Sequence, residues 1–197
     1  MIKDLSIFFK KETLVMGGLG FSAGLPIMLV FSTLSVWLVK AGVERSTVTL
    51  FSWAGFAYSF KFLWSPIVDK FRLPILNQYG HRRSWLFFSQ ILIIISILLA
   101  SLSDPQKNLS FMAISIVLIA FSSATQDIII DAFRIESAPE KKQGPLASMY
   151  LAGYRVAMIV SGAGSLWLAS HFGGSVYQLE IWKNVYQIIS LFMLIGL

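Results

Sequence analysis

The sequence predicts an all-α polytopic membrane protein, a six-transmembrane-helix bundle with its N-terminus in the cytoplasm. Composition, the recurrence of long apolar runs, and the placing of basic residues between them carry that expectation. The 197 residues are 56% hydrophobic and 13% charged, with a mean hydropathy of +0.71. Soluble domains average about 45–50% apolar and about 25% charged, so most of this surface faces something other than water. The net charge of +6 is no nucleic-acid signature, because Lys and Arg sit in short clusters between apolar runs rather than along one face.

The spans are expected at Leu14–Leu38, Thr47–Val68, Ser84–Leu102, Leu109–Phe133, Pro145–Ala169 and Trp182–Leu197. Each is about long enough to cross a ~30 Å hydrocarbon core. Turn formers separate them: Ala41-Gly42, Leu73-Pro74, Ser103-Asp104-Pro105, Ala138-Pro139 and Gly173-Gly174. The first run is too long for a signal-peptide core, and no small-x-small cleavage site follows it. On the side of the N-terminus lie Lys3, Lys10, Lys11, Lys70, Arg72, Arg82, Arg83, Lys141 and Lys142, against Lys40, Arg45, Lys107 and Lys183 opposite. Basic loops stay in the cytoplasm, which sets the orientation. The sixth span reaches Leu197 without the Lys, Arg, Trp or Tyr anchors that usually end a span. Residues 1–197 therefore read as one six-helix domain, the front part of something longer.

Several chemistries are set aside. There is no cysteine, and His81 and His171 fall near the ends of different apolar runs, so no metal site or other cofactor is expected. Gly20-Phe21-Ser22-Ala23-Gly24 matches the G-x-S-x-G pattern of a hydrolase nucleophile. That elbow needs a strand before it and a histidine and an acid in reach, whereas here it sits inside an apolar helix. An enzyme is not expected.

Five charged residues, Lys61, Asp127, Asp131, Arg134 and Arg155, fall inside the spans. A charge at mid-bilayer costs at least ~2.5–3.5 kcal/mol, so it marks a functional candidate. At 1.5 Å per residue, Lys61 lies about 10 Å from the inner end of its span, with Asp127 and Arg155 at comparable depth. Ser123, Asp127 and Asp131 are spaced by four residues and Arg134 follows by three, which aligns them as one stripe; Gln126 lies beside it. These residues are expected to line a wet cavity, with Lys61 and Arg155 facing anionic substrate groups. Partial burial disfavours a charged carboxylate, so Asp127 or Asp131 would take and release a proton. The competing reading is a static ion-pair network that locks the second, fourth and fifth spans together.

A second constellation lies between the second and third spans. Asp69 and Lys70, followed by Gly80, Arg82 and Arg83, could form a gating latch between neighbouring helices. Positive-inside topology already accounts for Arg82 and Arg83, but not for Asp69. Small residues point to helix packing: Gly153, Ala157, Ser161 and Ser165 form an i+4 ladder on the fifth span, and Gly20 and Gly24 another on the first. Pro26 is a candidate kink.

Gly20-Phe21-Ser22-Ala23-Gly24-Leu25-Pro26, Lys61-Phe62-Leu63-Trp64-Ser65-Pro66, Ser123-Ala124-Thr125-Gln126-Asp127-Ile128 and the run from Gly153 to Gly162 resemble the AmpG-type muropeptide permeases. These are bacterial inner-membrane carriers of the major facilitator superfamily. The resemblance covers nearly the whole chain but only the family's N-terminal half. It implies proton-symport import of anhydromuropeptides, cell-wall degradation products, for peptidoglycan recycling. The superfamily's G-x-x-x-D-R-x-G-R-R signature is similar to Ser65, Asp69-Lys70 and Gly80-His81-Arg82-Arg83, with Ser65 for the usual glycine and a longer loop. The family carries substrate between two six-helix halves, so this chain would need a C-terminal half, a second copy or a partner chain. The alternatives are a transport-inactive remnant, a membrane assembly partner, or an acetyl-CoA-type carrier.

Overall fold

The first span folds as α1 (Lys11–Val30) and α2 (Ser32–Lys40), interrupted at Phe31. Helix α1 continues through Pro26, so the break lies five residues past the proline. The structure is a computed structural model and describes residues 6–74, 78, 80–173 and 176–196; Lys3, Gly174 and Leu197 lie outside them.

The second span is not a continuous helix. It is divided into α3 (Arg45–Phe51), a 3₁₀ turn (Ser52–Gly55), α4 (Phe56–Ser59), a second 3₁₀ turn (Lys61–Leu63) and α5 (Ser65–Lys70). Gly55 and a run of β-branched and aromatic residues weaken the helix. Pro66 lacks the N–H that would continue the ladder from the preceding turn. The third and fourth spans are α6 (His81–Ser101) and α7 (Leu109–Ser137). Helix α7 starts where the Asn108 side chain accepts from the Phe111 N–H at 3.0 Å, which satisfies one of the free donors of its first turn. The fifth is α8 (Glu140–Ile159), a π-helical turn (Val160–Gly164) and α9 (Ser165–Phe172). The sixth is α10 (Leu179–Phe192) and a 3₁₀ turn (Met193–Gly196).

Six spans were expected, and four helices are long and apolar enough to cross a membrane: Lys11–Lys40, His81–Ser101, Leu109–Ser137 and Glu140–Phe172. The second fails through its segmentation. The 14 residues of α10 rise only about 21 Å. Among the described residues there is no strand.

Helix α1 is the centre of the bundle, packed against α8, α7 and the final 3₁₀ turn, while α6 pairs with α7 and α10. The α1–α8 contact is backbone on backbone. A Cβ on Gly20 would collide with the Tyr150 carbonyl, and one on Gly153 with the Gly17 carbonyl. A Cβ on Gly24 would meet the Tyr154 carbonyl and Ala157. Ser161 Oγ donates to the Ala157 carbonyl at 2.9 Å, and the Ser161 carbonyl accepts from Thr33 Oγ1 at 2.8 Å. This ties the π turn to α2. Ser165 is buried one turn further on.

Two further knots hold the bundle. In the middle, Ser22 Oγ donates to Gln90 Oε1 at 2.8 Å, Gln126 Nε2 donates to both, and Gln90 Nε2 donates to the Met193 carbonyl. This joins α1, α6, α7 and the last turn. At the end remote from Lys11, Trp37 stacks on Trp182 with ring centroids 5.7 Å apart, and Tyr186 donates to the Leu29 carbonyl at 2.9 Å.

Packing this close gives a direct prediction. Gly20→Ala should destabilise the protein by about 1–3 kcal/mol, the usual cost of overpacking. Gly144→Ala, with open space around it, should be neutral or stabilise by up to about 1 kcal/mol. Thermal melting in detergent of the two variants checks this.

Candidate functional site

The segmented second region lies along α7, which brings Lys61 against the charged stripe. Lys61 Nζ stands 3.8 Å from Asp127 Oδ2 and 3.9 Å from Asp131 Oδ2. Asp131 also receives Arg134 Nη2 at 3.3 Å. The four residues form a chain of alternating charge, Asp127, Lys61, Asp131, Arg134. Its burial is graded: the Asp127 side chain is 16% exposed, Lys61 33% and Asp131 50%. Asp127 is thus the inner end, and its Oδ1 is buried without a hydrogen-bond partner among the described residues.

Helical geometry explains the stripe. Residues four apart share a face, so Ser123, Asp127 and Asp131 line up towards the second region. Trp64 fixes that region by donating its Nε1–H to Thr125 Oγ1 at 3.1 Å, with its ring 4.6 Å from Phe121. Tyr58, on α4, is half-buried with its hydroxyl enclosed near Ser123 and Asp127, and on α8 Tyr154 lies near Asp127 and Tyr150 near Asp127 and Asp131.

Two residues expected in this cluster lie elsewhere. Gln126 is fully buried in the knot with Gln90 and Ser22, because the next residue on a helix turns about 100° away from the Asp127 face. Arg155 is exposed and makes no hydrogen bond or ion pair among the described residues. It follows Tyr154 and faces away from the Gly153–Ala157 surface that meets α1.

The loop constellation is assembled differently from its sequence pattern. Arg82 Nη1 donates to Asp69 Oδ1 at 2.6 Å, and its Nη2 donates to Glu136 Oε1 at 2.8 Å. Its Nε also reaches Glu136 at 3.1 Å. One guanidinium therefore joins α5, α6 and the end of α7. Its fork geometry permits this where an ammonium would not. Gly80, with φ +95°, takes the left-handed turn that starts α6. Lys70 and Arg83 are exposed and outside this bridge. Trp85 Nε1–H donates to the Phe71 carbonyl at 2.8 Å and closes the loop.

Sequence reasoning missed Glu136, Tyr58, Trp64 and Gln90. For Glu136 a signal existed, an acid at the basic end of a span where positive-inside topology does not ask for one. The other three are uncharged: Trp64 lies in the Lys61–Pro66 run that carries the family resemblance but was given no role, and Tyr58 and Gln90 stood out by no pattern. The G-x-S-x-G serine, Ser22, is fully buried and donates to Gln90, which leaves it no role as a nucleophile. Among the described residues no group of three or more His, Cys, Asp or Glu could hold a metal ion.

A family model described as Major Facilitator Superfamily matches residues 16–197. The anhydromuropeptide permease of Escherichia coli strain K12 is 37% identical over 186 residues, covering 94% of this chain and 36% of the relative. A putative transporter AmpG 4 of Rickettsia felis is 35% identical over 173 residues, covering 88% of this chain and 40% of the relative. The putative transporter AmpG 3 of Rickettsia typhi is 35% identical over 180 residues, covering 90% and 41%. The chain thus spans about two fifths of the length of the curated relatives it matches. Apolar helices with charges held between them and a family match over nearly the full length lead to one conclusion: the chain is a membrane protein and belongs to the Major Facilitator Superfamily.

Proposed function

We propose that this chain is the N-terminal six-helix half of a proton-coupled carrier that imports anhydromuropeptides across the bacterial inner membrane, with its N-terminus in the cytoplasm. The observation that carries this reading is Lys61 held between Asp127 and Asp131 inside an apolar bundle. The substrate class is taken from the permease name of the E. coli relative. The nine-to-four excess of basic residues supports the orientation, and the length of the relatives supports a second half.

The cluster suggests how a proton and an anion would be coupled. With both carboxylates ionised, Lys61 and Arg134 balance Asp127 and Asp131. A proton on Asp127 removes one negative charge, and the cluster becomes net positive. Lys61 is then free to attract a peptide carboxylate of the substrate. Release of substrate and loss of the proton restore the pairs. Binding of either ligand thereby favours binding of the other, as linkage requires. Asp127 suits the proton site because it is the more buried carboxylate, and Asp131 remains paired with Arg134. Arg155, exposed on α8, would face the missing half. The Asp69–Arg82–Glu136 bridge would hold the cytoplasmic ends together in one of the two conformations of an alternating-access cycle.

The test is proteoliposome uptake of labelled anhydromuropeptide under an imposed proton gradient, with this chain reconstituted alone and together with the C-terminal half of a relative. Uptake by the pair is expected, and its absence in both preparations would defeat the carrier reading. Within the pair, Lys61→Met should reduce uptake at least tenfold at normal membrane abundance. Asp127→Asn should keep substrate binding but lose accumulation driven by the gradient, because the amide mimics the protonated acid. Wild-type uptake by Lys61→Met would make the cluster a static ion pair. Arg82→Lys, which cannot span both acids, should slow transport several-fold while leaving equilibrium substrate binding within about twofold, as read by uptake rate against ligand-binding fluorescence.

A further inference from the structure

Helix α10 turns apolar and aromatic residues inward, among them Trp182, Val185, Tyr186 and Ile189. Its outward stripe is Glu180, Asn184, Gln187, Leu191 and Leu194, with steps that alternate between four and three residues. In mid-helix the long spans turn apolar residues outward instead: Phe88 and Ile95 on α6, Ile114 and Val117 on α7. Asn184 and Gln187 lie about 8 and 12 Å along α10 from its start at Leu179. Neither amide side chain makes a hydrogen bond among the described residues. The two amides border a groove of about 570 Å³ that Ile94 and Leu98 of α6 also line. We propose that this face joins two copies of the chain, α10 against α10 and parallel, around a two-fold axis along the membrane normal.

Three observations select a second copy as the occupant. First, an amide in hydrocarbon is costly until it is hydrogen-bonded, and it carries both donors and an acceptor. An amide is therefore complementary to itself. Rotation about the membrane normal keeps every residue at its own depth, so Asn184 meets Asn184 and Gln187 meets Gln187. Each pair can then exchange hydrogen bonds in both directions. Second, alternating steps of three and four residues are the seam of a left-handed helix pair, and polar side chains on such seams hold membrane helices together. Third, the charge at the head of the stripe is already compensated. Lys183 Nζ stands 3.1 Å from Glu180 Oε2, so two copies meet there without net repulsion. Leu191, 64% exposed, would be covered in the same contact, seated beside Ile94 and Leu98. The contact is isologous, the same patch on both copies. It involves neither Lys61 nor Arg155 and does not rest on the carrier reading. A phospholipid is the rival occupant, but its acyl chains offer the amides no partner.

The chain has no cysteine, so a single introduced cysteine reports the contact directly. Oxidation of inner-membrane vesicles should cross-link Leu191→Cys into dimers about fivefold more than Ile114→Cys on α7 or Val156→Cys on α8, both exposed controls. Adding Asn184→Leu and Gln187→Leu to Leu191→Cys should cut that yield by about fivefold, with far-UV circular dichroism unchanged. Native mass spectrometry of the detergent-released chain should show a dimer that the two leucine substitutions convert to monomer. Cross-linking of Leu191→Cys no better than the controls would overturn the proposal, as would a yield that the leucine substitutions leave intact. A monomer carrying a phospholipid that Asn184→Leu removes would give the groove to lipid and overturn it as well. Dimers formed through Val156→Cys alone would place the contact on α8 and do the same. No readout involves transport, so a failed dimer and a failed carrier are told apart.

Discussion

Helices α1 and α8 touch through their backbones, and the rest of the bundle takes its spacing from that contact. Gly20, Gly24 and Gly153 leave no Cβ between the two chains, so carbonyls of one helix rest on the glycines of the other. In a membrane no hydrophobic force drives helices together, and close approach must supply the packing energy. A gap of one side chain there would move Tyr150 and Tyr154 away from α7, and with them one wall of the charged cluster. The same closeness sets where α6 and α7 meet α1, because the knot of Ser22, Gln90 and Gln126 requires all three helices at hydrogen-bond range.

The polar groups divide into two sets that obey different rules. The central amides and Ser22 are neutral, wholly buried and mutually bonded, which makes them part of the framework. The charges on α7 occupy the neighbouring face, are partly exposed, and meet a single cation carried by the least regular backbone in the protein. Burial of a charge is tolerated only with a partner; Lys61 is shared between two carboxylates, the outer of which also pairs with Arg134.

Much of this was visible in the residues themselves. The apolar runs place α1 with α2, α6, α7 and α8 with α9 to within a few residues, since length and composition are what a bilayer selects. The i+4 spacing of Asp127 and Asp131 shows their shared face directly. What the pattern hides is rotation: Gln126 and Asp127 are adjacent in sequence and end up in separate environments. Segmentation was equally hidden, because an apolar count over Thr47–Val68 does not register that Gly55 and Pro66 divide the helix. Arg82 shows a third limit. Its partner Glu136 is 54 residues away, and only the meeting of α6 and α7 makes that pair.

The divided second region also bears on motion. Between Phe60 and Trp64 the ladder shortens to a 3₁₀ turn, whose hydrogen bonds are weaker than those of an α-helix. The Phe62 carbonyl, which Pro66 cannot serve, is taken up by Ser65 Oγ at 3.2 Å. Amide protons in this stretch are expected to exchange faster than those of the long helices around it. Lys61 thus sits in a short 3₁₀ turn between α4 and α5, with its ammonium 3.8 and 3.9 Å from two carboxylates, so the least regular backbone carries the cation those carboxylates share.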